Sequence, residues 1–197
     1  MPMNKKPAAA VRLQDAKCRL RPLREEDQEC TLAWRNDPEL IDQVLGYRMP
    51  VTQVMERTWF TSALQDDHQR AFFGIEPAKK NLLVGLAYLS RIAWIDRTCW
   101  LSIVIGDPAW RGKGLGRSAV KLLMDYAFAT LGMRKISLEV LASNEGAVAL
   151  YLSLGFTVEG RLSQQVLRQG KLQDVLMMGA FASVPAARPA RRAIRAR

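Results

Sequence analysis

The 197-residue chain predicts a mixed α/β fold, an α+β arrangement in which helices cover both faces of one twisted sheet of about six or seven strands. Three observations predict it. Trp100–Ile105 is a β-branched and aromatic run that ends at Gly106-Asp107-Pro108, and a helical pattern with Ala119, Leu122, Leu123 and Tyr126 on one face follows it. A second strand–helix block repeats the order, with Ile136, Leu138 and Val140 alternating and Ala147, Leu150, Tyr151 and Leu154 sharing a helical face. Around these two blocks lie alternating segments joined by turn residues, which read as antiparallel strands. At 49% hydrophobic and 24% charged residues, the composition is that of a globular domain.

In chain order, Cys18–Leu23 alternates and reads as a first strand. Arg24–Arg35 has helical spacing with Cys30, Ala33 and Trp34 on one side, and Asn36-Asp37-Pro38 breaks it. Two further helical segments cover Glu39–Gly46 and Thr52–Leu64, the second with Val54, Trp59 and Ala63 as its apolar residues and Thr52 as its cap. Ala71–Glu76 and Leu82–Ser90 are strands around the turn Pro77–Asn81, and another turn near Ile95-Asp96-Arg97 leads into the central strand. The cradle helix ends near Gly132, and the helix after Asn144 stops at Gly155. Phe156–Leu167 and Leu172–Phe181 form a hairpin across Gln169-Gly170.

The net charge of +10 suggests nucleic acid until it is located: residues 183–197 hold +5 and residues 1–16 hold +2, which leaves +3 for the body. Three segments follow: a basic flexible stretch 1–16, a single domain 17–182, and an Arg-rich, disordered tail 183–197. The tail has no aromatic residues to stack on bases, so nucleic acid is expected to make no more than weak contacts with it. No run approaches the eighteen apolar residues of a membrane span, and Met1–Ala16 lacks the apolar core of a secretory signal. Cys18, Cys30 and Cys99 are odd in number and far apart, which predicts neither disulfides nor a metal site and fits a reducing, cytoplasmic setting. His68 lies in a polar run and reads as a surface loop residue.

Between the central strand and its helix lies Arg111-Gly112-Lys113-Gly114-Leu115-Gly116-Arg117. Glycines let backbone N–H groups converge on one point, and the helix start adds unpaired N–H groups and a partial positive charge. The loop is a phosphate cradle. The spacing fits neither a Walker loop, which needs a hydroxyl where Gly114 stands, nor the dinucleotide Gly-x-Gly-x-x-Gly, whose third glycine here comes one residue early.

The cradle resembles the Arg/Gln-x-x-Gly-x-Gly/Ala loop of the GNAT superfamily of acyl-CoA N-acyltransferases. Leu138–Asn144 with Ala149–Phe156 resembles the Leu-Glu-Val, Ala-Ser-Asn and Ala-Leu-Tyr…Leu-Gly-Phe words of ribosomal-protein alanine N-acetyltransferases. Trp34-Arg35-Asn36 resembles a word of members acting on ribosomal proteins, polyamines or nucleotide-linked amino sugars. The resemblance implies the GNAT fold, with parallel strands ending near Ile105 and Leu141 that splay into a V. It implies an N-acetyltransferase that uses acetyl-CoA, without a metal, on an amine: a protein N-terminus or a small amine, with a nucleotide-linked amino sugar as the alternative. A homodimer is compatible with it.

The resemblance also implies roles. The backbone of Ile103, Val104 and Ile105 would hold the pantetheine, and the N–H groups of Arg111, Gly112, Lys113, Gly114, Leu115, Gly116 and Arg117 the pyrophosphate. Asn144 would bind the pantetheine arm or only cap its helix. Glu139 matches the base and Tyr151 the general acid, while Trp34, Arg35 and Asn36 would meet the acceptor. From the residues alone, Glu139 also reads as a solvated strand carboxylate and Tyr151 as a packed core tyrosine. Many superfamily members carry a glutamate on the central strand; Cys99, Trp100 and Ser102 stand there in this chain, which shifts weight to Glu139 or to a water chain. Two other classes stay open at this point: a basic ribosome- or RNA-binding module and a non-catalytic acyl-CoA sensor.

Overall fold

The computed structural model describes residues 13–46, 48–65 and 68–182, so the tail 183–197 and most of the N-terminal stretch lie outside the described residues. Seven strands form one sheet: β1 (Cys18–Arg21), β2 (Ala71–Pro77), β3 (Gly85–Ala93), β4 (Thr98–Ile105), β5 (Lys135–Leu141), β6 (Thr157–Arg168) and β7 (Lys171–Phe181). Their spatial order is β1-β2-β3-β4-β5-β7-β6. The first four make an antiparallel meander, β5 is parallel to β4, and the β6–β7 hairpin completes the sheet antiparallel to β5. Residues 13–16 belong to this body: the Leu13 carbonyl accepts from Leu20 N–H at 2.8 Å, and Asp15 Oδ2 accepts from the Ser118 hydroxyl.

The helices are α1 (Gln28–Arg35), α2 (Pro38–Gln43), α3 (Gln53–Leu64), α4 (Leu115–Asp125) and α5 (Glu145–Ser153). Alternation along the strands sorts them onto the two faces. Ala87 and Leu89 of β3 pack in the main core with Ala119, Leu122 and Leu123 of α4, and Tyr151 of α5 lies in that core too. Leu86, one residue away, joins a smaller core on the other face with Phe60 of α3 and Leu23. Each buried leucine contributes about 1.5–3 kcal/mol. After Asp125 the helix widens into one π-turn, Tyr126–Thr130, and stops at Gly132, whose φ of +69° favours glycine.

Most elements fall where the sequence puts them, including the Thr52 cap, which accepts from Met55 N–H at 3.2 Å, and the Gln169-Gly170 turn. Four details differ. The strand expected over Leu82–Ser90 runs instead over Gly85–Ala93, because only glycine lets β3 start against the Val104 carbonyl; a Cβ there would lie 2.3 Å from it. The helix expected over Glu39–Gly46 ends at Gln43, since Val44 turns extended. On α1, Thr31 is the buried residue while Cys30 and Ala33 are exposed. On α3, Val54 is 76% exposed and the buried pair is Glu56 and Phe60, one turn apart.

An ion network ties β1 to β2. Arg21, 8% exposed, donates from both terminal nitrogens to Asp27 at 2.6 and 2.8 Å and from Nε to Glu76 at 2.6 Å, while Arg19 also bonds Glu76. Burial alone would raise the Glu76 carboxyl, but its hydrogen bonds with Arg21 and Arg19 outweigh that and hold it below its ordinary value. A depressed carboxyl stabilises the fold above its unfolded value of about 4.5 and loses that contribution as pH falls through the folded one. Arg21→Met strands buried Asp27 and leaves buried Glu76 with Arg19 alone, so urea denaturation at neutral pH should show a loss of about 3–5 kcal/mol. The wild-type decline below about pH 4.5 should flatten in the variant; equal stability of the two proteins at pH 7 would refute the network's role.

Candidate active site

The sheet opens where β4 and β5 meet. They pair only at Thr98–Lys135, Cys99–Ile136 and Trp100–Ser137. Beyond that, β4 stays with β3 as far as Ile105 and β5 stays with β7 as far as Leu141. The two strands therefore diverge with their remaining backbone groups facing the gap, and groups so placed require a partner from water or ligand. A cleft of about 700 Å³ passes through this V. Ile103, Val104, Ile105, Gly116, Glu139, Asn144, Tyr151, Trp34 and Arg35 all line it, so most of the sequence-selected residues come together.

Glu139 and Tyr151 approach from different sides. Ile136, Leu138 and Val140 are buried in the main core, so Glu139 projects to the opposite face and is exposed. Tyr151 enters from the core side on α5, with its ring edge-to-face on Phe156 at 5.6 Å and only 7% of its surface exposed. Among the described residues no group bonds its hydroxyl, and burial pushes the phenol up to about 12. It stays protonated across the neutral range.

The cradle is built as follows. Asp107 caps the short turn Pro108–Trp110 by accepting from Ala109 N–H at 2.9 Å. Arg111 then bends back, and its guanidinium bonds the Ile105 and Gly106 carbonyls at 3.0 Å each. Gly112 and Gly114 take φ of +69° and +80°, and Gly114 is the N-cap of α4. The first helical bond runs from Ser118 N–H to the Gly114 carbonyl, so the N–H groups of Leu115, Gly116 and Arg117 precede any intrahelical acceptor. Arg117 bonds Ser153 and so links α4 to α5, while Lys113 lies over the Trp110 ring at 4.9 Å.

Two selected residues, Arg111 and Asn36, sit differently from the expectation. Arg111 N–H is already bonded to the Pro108 carbonyl at 3.2 Å and is not a free cradle donor. Leu115 buries its side chain in the core, and the group it offers at the helix start is its backbone N–H, the part the expectation names. Asn36 does not line the cleft: its amide group donates to the Val51 carbonyl and accepts from Val51 N–H, both at 2.9 Å, and so fixes the segment leading into α3. Asn144 takes the cap, accepting from Ala147 N–H at 3.1 Å, and still lines the cleft.

The face of the cleft away from α4 carries, beside the selected Trp34 and Arg35, residues that the sequence reading left out. Glu56 is fully buried, accepts from the Thr31 hydroxyl at 2.5 Å and pairs with Arg35 at 2.7 Å, and Arg35 in turn lies 4.9 Å over Trp59. Trp34 packs against Gly106, where any Cβ would fall 2.0 Å from the indole. Tyr88, Ser90 and Arg91 of β3 and Trp100 and Ser102 of β4 complete this wall. A signal for them was present: Tyr88, Ser90, Trp100 and Ser102 form one polar and aromatic phase of two paired strands, against Ala87, Leu89, Cys99 and Leu101 in the other.

Comparison with known proteins agrees with this architecture. The acetyltransferase (GNAT) domain family matches residues 17–157. Spermidine N(1)-acetyltransferase of Vibrio cholerae is 37% identical over 119 residues, 60% of this chain and 67% of the relative. Its Escherichia coli K12 counterpart is 30% identical over 164 residues, 83% and 85% of the two chains. The crystal structure of spermidine N-acetyltransferase from Vibrio cholerae in complex with CoA and spermine superposes with a TM-score of 0.77 at 29% identity, covering 85% of this chain and 96% of that one. A dodecameric structure of spermidine N-acetyltransferase from Vibrio cholerae gives a TM-score of 0.72 over 85% and 95% of the two chains at 29% identity. These relatives are named for a small amine, whereas the sequence words of the 138–156 block pointed to ribosomal proteins. With its parallel strands splayed over a glycine cradle and a family match across most of the folded body, the chain belongs to the GNAT acetyltransferase family and is an acetyl-transferring enzyme.

Proposed function

We propose that the protein transfers the acetyl group of acetyl-CoA to the primary amine of a small molecule by direct attack, inside the V between β4 and β5. The observation that carries this reading is that Glu139 and Tyr151 line the same cleft from opposite faces of the sheet. Acetyl-CoA supplies the acetyl group as an activated thioester. The outward N–H groups at the start of α4, with Gly112 and Gly114 in their left-handed conformations, hold the pyrophosphate, and the unpaired edge of β4 at Ile103–Ile105 holds the pantetheine arm. An ammonium has no lone pair, so attack requires loss of a proton, and Glu139 takes it on the acceptor face. Tyr151, held neutral by burial, gives its proton to the departing sulfur from the core face.

Tyr151→Phe keeps the ring packed and should lower kcat by about a hundredfold while leaving the KM for acetyl-CoA unchanged. Glu139→Gln should also slow turnover, but its defect should shrink as pH rises and the amine deprotonates unaided. The Tyr151→Phe defect should persist from pH 7 to 10, because the lost group gives a proton. Wild-type turnover in Tyr151→Phe over that range would make the residue a packing tyrosine.

Gly116 provides a test of the cradle. A Cβ there meets nothing nearer than 3.8 Å, and its backbone is ordinary helix, so alanine fits and a larger side chain grows into the cleft. Calorimetry should find that Gly116→Ala binds acetyl-CoA and Gly116→Leu does not, with thermal melting unchanged or raised in both, since glycine is the poorer helix former by about 1 kcal/mol. Wild-type affinity in Gly116→Leu would displace the cofactor from this cleft.

A further inference from the structure

Resting on that reading of the cleft, we infer that the acceptor amine carries an anionic group, a carboxylate or a phosphate, and that Arg91 is the residue that selects it. Arg91 sits at an irregularity in the β3–β4 ladder, between Ser90 and Ala93, with a φ of +48°. This left-handed backbone is uncommon for arginine, and such bulges re-aim a side chain. Here it lays the guanidinium 4.8 Å over the Trp100 ring, on the wall of the cleft. Among the described residues no carboxylate pairs with Arg91, so its charge is available to a ligand.

The charges of the cleft favour an anion over a second ammonium. Arg35 is neutralised by buried Glu56, which leaves, among the described residues, Glu139 as the one carboxylate lining the cleft and Arg91 as the one lining cation without a carboxylate partner. Glu139 matches one ammonium. A polyamine brings at least one more positive charge into the range of Arg91. The aromatic wall offers it little, because guanidinium groups already cover Trp59 and Trp100, Phe72 stacks on Tyr88 at 4.9 Å, and Trp34 lies on Gly106. Spacing also fits: Trp100 pairs with Ser137 one strand spacing away, about 5 Å, and Glu139 lies two residues, about 7 Å, further along β5, so the two positions are about 8 Å apart. An amine at Glu139 thus places an anion on Arg91 if about six atoms separate them.

The experiment is a series of six-carbon primary amines with acetyl-CoA, alike except for the far end: ammonium, methyl, carboxylate or phosphate. The carboxylate or phosphate member should exceed the diammonium member at least tenfold in kcat/KM, and the two anionic arms show which chemistry is preferred. Arg91→Glu should invert the order, and Arg91→Gln should erase it; Arg91 is exposed, so both variants should fold, which circular dichroism checks. Preference for the diammonium member, or a ranking unchanged by Arg91→Glu, overturns the inference. The same series is also titrated by calorimetry in the presence of CoA. If the anionic members bind through Arg91 but none is acetylated, the inference stands and the transfer reading fails. If none binds, the inference falls.

Discussion

A strand pair that stops after three residues governs this molecule. A sheet normally pairs every central strand on both sides, and an unpaired, buried peptide group costs free energy comparable to a lost hydrogen bond. Here β4 and β5 each keep one complete partner, β3 and β7, and give up the other. The cost is confined to the gap, where water or a ligand backbone restores the lost bonds. The elements on the α4 side of the cleft follow from this opening: the glycine loop sits at the end of β4, α4 begins there, and α5 brings Tyr151 beneath the gap.

The wall of the cleft away from α4 depends on a different physical device. It stands on side chains that need paired charge to stay in place. Glu56 is buried without direct access to water, and Thr31 and Arg35 satisfy it while Arg35 lies against Trp59. Removing one member of such a group leaves a stranded charge, so the wall is held more by mutual dependence than by the stability of any one pair. Trp34 connects the two sides, since it packs on the glycine that follows β4.

How much of this was legible in the sequence depended on which force fixed each element. The two strand–helix blocks and the β6–β7 hairpin were readable because local signals agree: alternation, Gly132, Gly155 and the Gln169-Gly170 turn. Glu139 and Asn144 could be placed from period and capping alone. The face of α3 could not, because hydropathy counts Val54 as core and Glu56 as surface, whereas an ion pair from another helix reverses them. Arg91 was missed for a similar reason: its meeting with Trp100 requires a bulge that no residue type announces. Asn36 was selected by a resemblance, and its bonds to Val51 show it holding a loop instead.

The small core of Leu23, Phe60 and Leu86 is separate from the main one. The helices α1 and α3 thus rest on their own foundation, and α4 and α5 rest on another. Selection can rebuild one room of the house while the other stays occupied. Under the proposed assignment of the cleft, a lineage could trade one amine for another by exchanging side chains on α1, α3 and the β3 bulge, without reopening the bargain struck between β4 and β5.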